Sequence, residues 1–387
     1  PLICHISSSG ADISEGASAI HSWGTAAREF VNCSGVVPLI FCVTGPAVSG
    51  PALLLGLADL VIMVDESYAF VSGPNMVQQY TGENLSAEGL GGAAMHANTS
   101  GVAHFVVSDL ESANNLIVEI LTYLPNSNDE LPLPVPCDDS PARELPDIGS
   151  IIPESPTGSY DVREVIESFI DHEYFLELRT DFAPNLVTGF GHLNGKPVGL
   201  VANQPQSIAG TLDIPASQKG GRFVSFCDAF NLPIITLVDT SGFYPGKDLE
   251  WKGMIRYGAQ MAFAYARATT PRVCVTLRKS YGGAYIVMDS RYMGNDIMLA
   301  WPTAEIAVMG AKGAVEILHR EASEKEREEL IDNYEDRLLN PYIAAERGTV
   351  DRVIDPAHTR IELIRALDML AGKREKLPRR RHDNTPL

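Results

Sequence analysis

The chain repeats itself, and this constrains its fold more than any other feature. PLICHISSSGADISEG, an apolar run ending in a Ser/Gly turn, opens the sequence, and LPIITLVDTSGFYPGKD has the same form from Leu232. About one helix later, VVPLIFCVTGPAVSGPALLLG is matched by TTPRVCVTLRKSYGGAYIVMD. Pro1 and Pro38 are 37 residues apart, and Pro233 and Pro271 are 38 apart. Ser49-Gly50 lies 11 and 12 positions after Pro38, and Gly282-Gly283 lies 11 and 12 positions after Pro271. DLVIMVDESYAFVSG (59–73) then aligns without gaps to DIMLAWPTAEIAVMG (296–310). Agreement at three points marks an internal duplication.

Each copy reads strand, turn, helix, strand, turn, helix, strand. Apolar strands alternating with helices give an α/β fold in which helices cover the sheet. The second copy has an extra leading piece, VTGFGHLNGKPVGLVANQP, whose Asn-Gly pair predicts a hairpin turn, followed by a helix over 221–230. The first copy lacks that piece, which predicts an unpaired sheet edge, and residues before Pro1 are expected in the native protein. Between the copies, the eight prolines from Pro125 to Pro156 exclude helix or central strand. The expected organisation is an N-terminal domain over 1–124, a Pro-rich linker over 125–159 and a C-terminal domain over 160–387, with a helical pattern resuming at Asp161.

Composition narrows the function. Forty-nine acidic residues against 30 Lys and Arg give a formal charge of −19, which argues against nucleic acid or an anionic membrane surface as partner. No segment is long and apolar enough to span a bilayer; the best, Ala52 to Val64, is short and carries Asp59. No basic n-region stands at Pro1, so no signal peptide is expected. The six cysteines form no C-x-x-C pair and mostly sit in apolar runs, so a reducing, cytoplasmic protein without disulfides is expected. The nine histidines show no ligand spacing, so no metal is expected.

Chemistry is best sought at the two glycine turns. In the first copy a strand ends at Thr44, a turn spans Gly45 to Gly50, and Pro51 fits the first turn of a helix. In the second a strand ends near Leu277, the turn holds Gly282-Gly283, and Ala284 opens a helix. A glycine turn before a helix aims backbone N–H groups at one spot, which is how an oxyanion hole is built. The other reading, a close strand–helix packing turn, is weakened when two such turns stand at matching places. No phosphate loop, G-x-G-x-x-G after a strand, H-E-x-x-H or nucleophile elbow is present. A reaction run by backbone donors, with its base brought by substrate or cofactor, needs none of them.

From LPIITLVDTSGFYPGKD through RKSYGGAYIVMDS to AVEIL, the second copy resembles the carboxyltransferase (beta) subunit of biotin-dependent acyl-CoA carboxylases. CSGVVPLI, TGENLSAEGLGGAAMHANTSGVAHF and the tail KLPRRRHDNTPL agree with it, so the resemblance covers nearly the whole chain. It implies two crotonase-like ββα-spiral domains and a hexamer, with the active site between the N-domain of one subunit and the C-domain of another. It further implies that carboxybiotin, on a separate carrier, binds against the second copy and acyl-CoA against the first. Gly283 and Ala284 N–H groups would then hold the biotin ureido oxygen, and Ser49 and Gly50 the thioester oxygen. Gly10, Gly282, Tyr285 and Ile286 would contact substrate. The biotin enolate left after CO₂ release would take the α-proton, and the substrate enolate would attack CO₂. Pro51 has no N–H, which restricts the first donor pair to earlier positions. The chain has no A-M-K-M biotin site and no ATP signature, so a biotin carboxylase and a biotin carboxyl carrier are implied partners, in a homo-oligomer or mixed hexamer.

Three positions depart from the family pattern. Ser49-Gly50 stands where Gly-Gly is common, Asp12 where S-G-G-A-R has Arg, and Ile286 where propionyl-type members have Asp. The last suits a different, longer acyl chain or simple packing. Lys219-Gly-Gly-Arg222 reads as a helix start and a site for a CoA phosphate. Asp239 reads as a turn cap rather than a base, and LHREASEKEREELIDNYEDR as one long solvated helix. The basic tail KREKLPRRRH reads as flexible or as a partner contact. Two other functions fit: a biotin-dependent decarboxylase or transcarboxylase subunit, and a catalytically weakened paralogue in a mixed oligomer.

Overall fold

The computed structural model describes residues 1–386. Two compact units emerge: Pro1–Leu133 with Leu178–Ala183 and Ala229–Asn231, and Pro134–Glu177 with Pro184–Asp228 and Leu232–Leu387.

The first unit is built on β1 (Leu2–Ser8), β2 (Leu39–Val48), β3 (Leu60–Val64), β4 (Tyr68–Phe70) and β5 (Phe105–Val107). Their order is β1-β2-β3-β5, with β4 on β2, and the pairs are parallel. β2 begins with LIFCV, buried throughout, as a strand with neighbours on both edges and helices on its faces must be. Its first half pairs with β3 and its last three residues with β4. Between these lies a register shift: Ile6 faces Val43 and Ser8 faces Ala47, so Thr44, Gly45 and Pro46 stand opposite Ser7 alone. This bulge bends β2 and carries it past the expected end at Thr44 to Val48. The helix Ala17–Cys33 contributes Trp23, Ala27 and Phe30 to the core around Phe41, Val61 and Met63. Returning stretches complete the unit: Arg179 N–H donates to His104 O (3.0 Å), and Asn231 Nδ2 donates to Asn128 O and Glu130 O (2.8 Å each).

The second unit carries β6 (Leu176–Leu178), β7 (Leu186–Leu193), β8 (Lys196–Asn203), β9 (Ile234–Thr240), β10 (Arg272–Tyr281), β11 (Ile297–Ala300), β12 (Glu305–Ala307) and β13 (Arg352–Val353). The order is β13-β11-β10-β9-β8-β7-β6, with β12 on β10. From β9 to β13 it retraces the path of β1 to β5. The bulge recurs as well: Thr276 faces Val238 and Ser280 faces Thr240, leaving Leu277, Arg278 and Lys279 opposite Asp239 alone. β10 therefore also outruns its expected end, reaching Tyr281. The extra leading piece is the antiparallel hairpin β7–β8, turned by Asn194 (φ 52°) and Gly195 (φ 74°). Positive φ at both central residues matches the right-handed twist of the strands it joins.

Four segments differ from expectation. Residues 134–159 are packed into the second unit: Leu145, Ile148 and Ile152 join its core, and Val135 N–H donates to Gly195 O at 2.8 Å. The buried Arg360 guanidinium holds the carbonyls of Ser140 (3.1 Å) and Phe169 (2.7 Å) and the Asp171 carboxylate (2.7 Å). The helix expected over 221–230 runs over Ile214–Ala229. The charged run after Leu318 breaks, because Ser323 and Glu326 form a reciprocal capping box that starts a new helix at Glu324. The basic tail is anchored: Lys373 Nζ donates to Asp296 (2.9 Å), and Arg267 Nη1 donates to Asp383 (2.5 Å).

Candidate active site at two equivalent bends

Strand pairing fixes which residues correspond. Val48 faces Phe70 on β4, and Tyr281 faces Ala307 on β12. Ser49, Gly50 and Pro51 are therefore the counterparts of Gly282, Gly283 and Ala284. Ser49 has φ 64° and Gly282 φ 59°, so both chains turn through the left-handed region before a helix, Gly50–Leu54 in one unit and Gly282–Val287 in the other. At Gly282 that costs nothing; at Ser49 an L side chain is held in a conformation it rarely adopts. The neighbouring strands end in matching bends too, at Gly10 (φ 104°) and Gly242 (φ 143°).

The donor inventory differs between the bends. Ser49 N–H donates to Phe70 O at 2.9 Å, so the expectation that it holds a substrate oxygen is corrected: the sheet has consumed it. Pro51 offers no N–H. Gly50 N–H remains, in the helical first turn where amides lack intrahelical acceptors. Gly50 is buried, and the Trp23 ring lies against it so closely that an added Cβ would come within 2.7–2.9 Å of three ring atoms. In the second unit Gly283 is exposed and Ala284 fully buried, and both belong to the first helical turn. Phe243, from the bend after β9, lies 3.4 Å from where a Gly283 Cβ would stand. No spacing in the sequence pointed to Phe243 or Trp23.

The other expected contacts separate. Gly10 is half-buried and its N–H donates to Ser8 Oγ at 3.3 Å. Ile286 is exposed on the donor helix. Tyr285 is turned inward, and its hydroxyl has no hydrogen-bond partner among the described residues; burial pushes its pKa up. Asp12 caps the turn Ile13–Glu15, accepting from Ser14 Oγ–H at 2.6 Å and from Ser14 N–H at 2.9 Å, and these bonds lower its pKa. Lys219 is corrected: it lies inside its helix, 1% exposed, and cannot greet a phosphate at a helix start.

Two buried carboxylates flank the second bend. Asp239 accepts from Arg278 Nε (3.0 Å) and Tyr160 Oη (2.9 Å), and burial outweighs the guanidinium to raise its pKa. Asp289, two residues beyond the donor helix at φ 57°, accepts from Arg272 Nη1 (2.5 Å) and Asn295 Nδ2 (2.8 Å). Its burial raises it to about 6, against the pull of Arg272. Among the described residues no group of three or more His, Cys, Asp or Glu is placed to hold a metal ion, and no helix is long and apolar enough to cross a membrane.

Residues 1–385 match the carboxyl transferase domain family. The chain belongs to that family. Over 406 aligned residues it is 46% identical to the propionyl-CoA carboxylase beta chain of Saccharopolyspora erythraea, covering all of this chain and 74% of that protein. Over 394 residues it is 46% identical to the propionyl-CoA carboxylase carboxyltransferase subunit of Haloferax mediterranei, covering all of this chain and 76% of that one. Its backbone superimposes with a TM-score of 0.97, at 42% identity, on transcarboxylase 12S, solved as a hexamer with methylmalonyl-CoA bound; this chain is covered in full and that one by 75%. As a carboxyl transferase, the chain has two crotonase-like α/β domains, each built on the strand path shared by β1–β5 and β9–β13.

Proposed function

We propose that this chain moves a carboxyl group from carboxybiotin, borne by a separate carrier protein, to the α-carbon of an acyl-CoA. The product is a 2-carboxyacyl-CoA of the malonyl or methylmalonyl type. The observation that carries this reading is the pair of equivalent bends, each presenting at least one first-turn amide beside a positive-φ residue, on the fold of the carboxyl transferase family. Carboxybiotin supplies both CO₂ and, once that has left, the base for the α-proton. Gly283 and Ala284 N–H groups hold the ureido oxygen as it becomes negative, and Gly50 N–H holds the thioester oxygen of the enolate. One such donor contributes about 3–4 kcal/mol of transition-state stabilisation. Two donors at one bend and one at the other place the stronger stabilisation on the biotin side.

The acyl chain lies toward Ile286, whose exposed apolar surface suits an alkyl group rather than a polar one. The partners are a biotin carboxylase and a biotinylated carrier, and the working form is a hexamer, either of this chain alone or mixed with related beta subunits, in the cytoplasm. The likeness to transcarboxylase 12S supports a second reading, in which the carboxyl donor is another carboxylated acyl-CoA rather than bicarbonate.

The test is the reverse reaction. The purified protein is incubated with methylmalonyl-CoA or malonyl-CoA and free biotin, and the decarboxylated acyl-CoA is measured. Biotin-dependent turnover is expected, and its absence with every carboxylated acyl-CoA tried would overturn the proposal. Dependence of forward synthesis on ATP, bicarbonate and the carboxylase partner then separates carboxylation from transcarboxylation.

A further inference from the structure

Asp239 touches none of the groups assigned to the reaction, yet it sits opposite the bulge in β10, between the paired positions Val238 and Thr240. Opposite it, β10 carries three residues between the paired positions Thr276 and Ser280. A bulge of this kind leaves ladder groups unmatched and turns the strand. The Asp239 carboxylate takes up one of those groups, with Lys279 N–H donating to Oδ1 at 3.1 Å, and it also pairs with the Arg278 side chain, whose Nε donates to Oδ2 at 3.0 Å. From the other side Tyr160 donates its hydroxyl to Oδ2, and its ring lies 5.3 Å from the guanidinium carbon. Arg278 Nη1 continues to Gly158 O at 2.9 Å, and Lys279 Nζ reaches Pro156 O at 2.5 Å. The Asp239 and Arg278 side chains are only 3% and 7% exposed, so the pair is held away from competing water. Lys279, Ser280 and Tyr281 then lead directly into the donor helix.

The first unit builds the same bulge without this device. Ser7 stands in the place of Asp239, Gly45 in that of Arg278, and Pro46, which has no N–H, in that of Lys279. A Cβ on Gly45 would lie 2.6 Å from Ser7 Oγ, so small residues in contact do there what an ion pair does in the second unit.

We propose that Asp239 is a positioning residue for the second bend: with Arg278 and Tyr160 it sets the angle at which β10 enters the donor helix, and so the aim of the Gly283 and Ala284 amides. The kinetic consequence rests on the carboxyl-transfer reading; the positioning itself does not.

Two variants test it, Asp239→Asn and the double variant Asp239→Asn with Arg278→Met, which removes the ion pair and leaves no unpaired buried charge. Hydrogen exchange of peptides spanning 277–288 should quicken in both, with peptides spanning 39–57 unchanged. In the methylmalonyl-CoA and free biotin assay, kcat should fall by roughly 10²-fold, the loss a misplacement of about 1 Å produces. The KM for the acyl-CoA and its binding stoichiometry should hold. Wild-type exchange and kcat in variants that still bind acyl-CoA would overturn the proposal. So would a rate loss that merely tracks lost binding stoichiometry, which marks an unfolded fraction. A wild-type protein that transfers no carboxyl group removes the catalytic role with the functional reading, and the exchange data then decide the positioning alone.

Discussion

Ala284→Pro tests the second bend with a residue the first bend already contains. The strand registers put Ala284 where Pro51 stands, in the first turn of a helix that follows a positive-φ residue. Proline is compatible with that position, so the substitution removes one N–H without forbidding the helix. Losing one donor to a developing oxyanion lowers kcat by about 10²–10³-fold, or roughly 3–4 kcal/mol. Ala284 has no exposed surface, so the added ring atoms overfill the site at about 1–3 kcal/mol of stability. That is below the roughly 5–15 kcal/mol that holds a typical protein folded, and the variant should remain native at 25 °C. The assay is carboxyl transfer from methylmalonyl-CoA to free biotin, with kcat and KM resolved separately and acyl-CoA titration as the check on folding. A drop confined to kcat is the expected result, because the donor acts only as charge develops. A folded variant turning over at the wild-type rate would refute the assignment of Ala284. The converse change, Pro51→Ala, adds an amide to the first bend and should leave turnover intact.

Three further outcomes are expected. Gly50→Ala must displace the Trp23 ring, costing about 1–3 kcal/mol, and should lower the melting temperature and shift tryptophan fluorescence; an unchanged spectrum would contradict the contact. Arg272→Met strands the fully buried Asp289 carboxylate and should cost about 3–5 kcal/mol in urea unfolding, much of it recovered in the double variant with Asp289→Asn; a double variant as weak as the sum of its parts would exclude the pairing. Asp289 also predicts a pH effect. Its folded pKa is raised from 3.8 to about 6, so its contribution to stability is complete below 3.8 and is lost as pH rises through 6. The wild-type stability curve minus that of Asp289→Asn should slope downward over that interval, and a flat difference would discard the assignment.

The duplication was legible because apolar strand patterns and glycine spacing survive where side-chain identity does not. It placed β3 and β4 against β11 and β12 without a gap, and Asn194-Gly195 announced its hairpin. The strand ends were not legible. Thr44 and Leu277 look like termini because a bulge interrupts the apolar run, and only pairing to β4 and β12 shows that each strand continues. The packing of the Pro-rich segment is illegible for a related reason: proline excludes helix and central strand but does not exclude burial, and Leu145, Ile148 and Ile152 are core residues between prolines. At the site, Ser49 was lost as a donor because its amide is claimed by Phe70, a partner 21 residues away that no local pattern reveals. The Asp239–Arg278–Tyr160 cluster draws on three distant stretches, and nothing in their spacing announces it.

The two stretches that rejoin the first unit have a consequence for synthesis. Phe182 closes on Gly101, and Asn231 ties down Asn128 and Glu130, so residues made late finish a body whose strands were made early. Translation from residue 133 to 231, at roughly 5–20 residues per second, takes on the order of ten seconds. Until those residues are made, the first unit lacks both clasps, so its completion is paced by elongation.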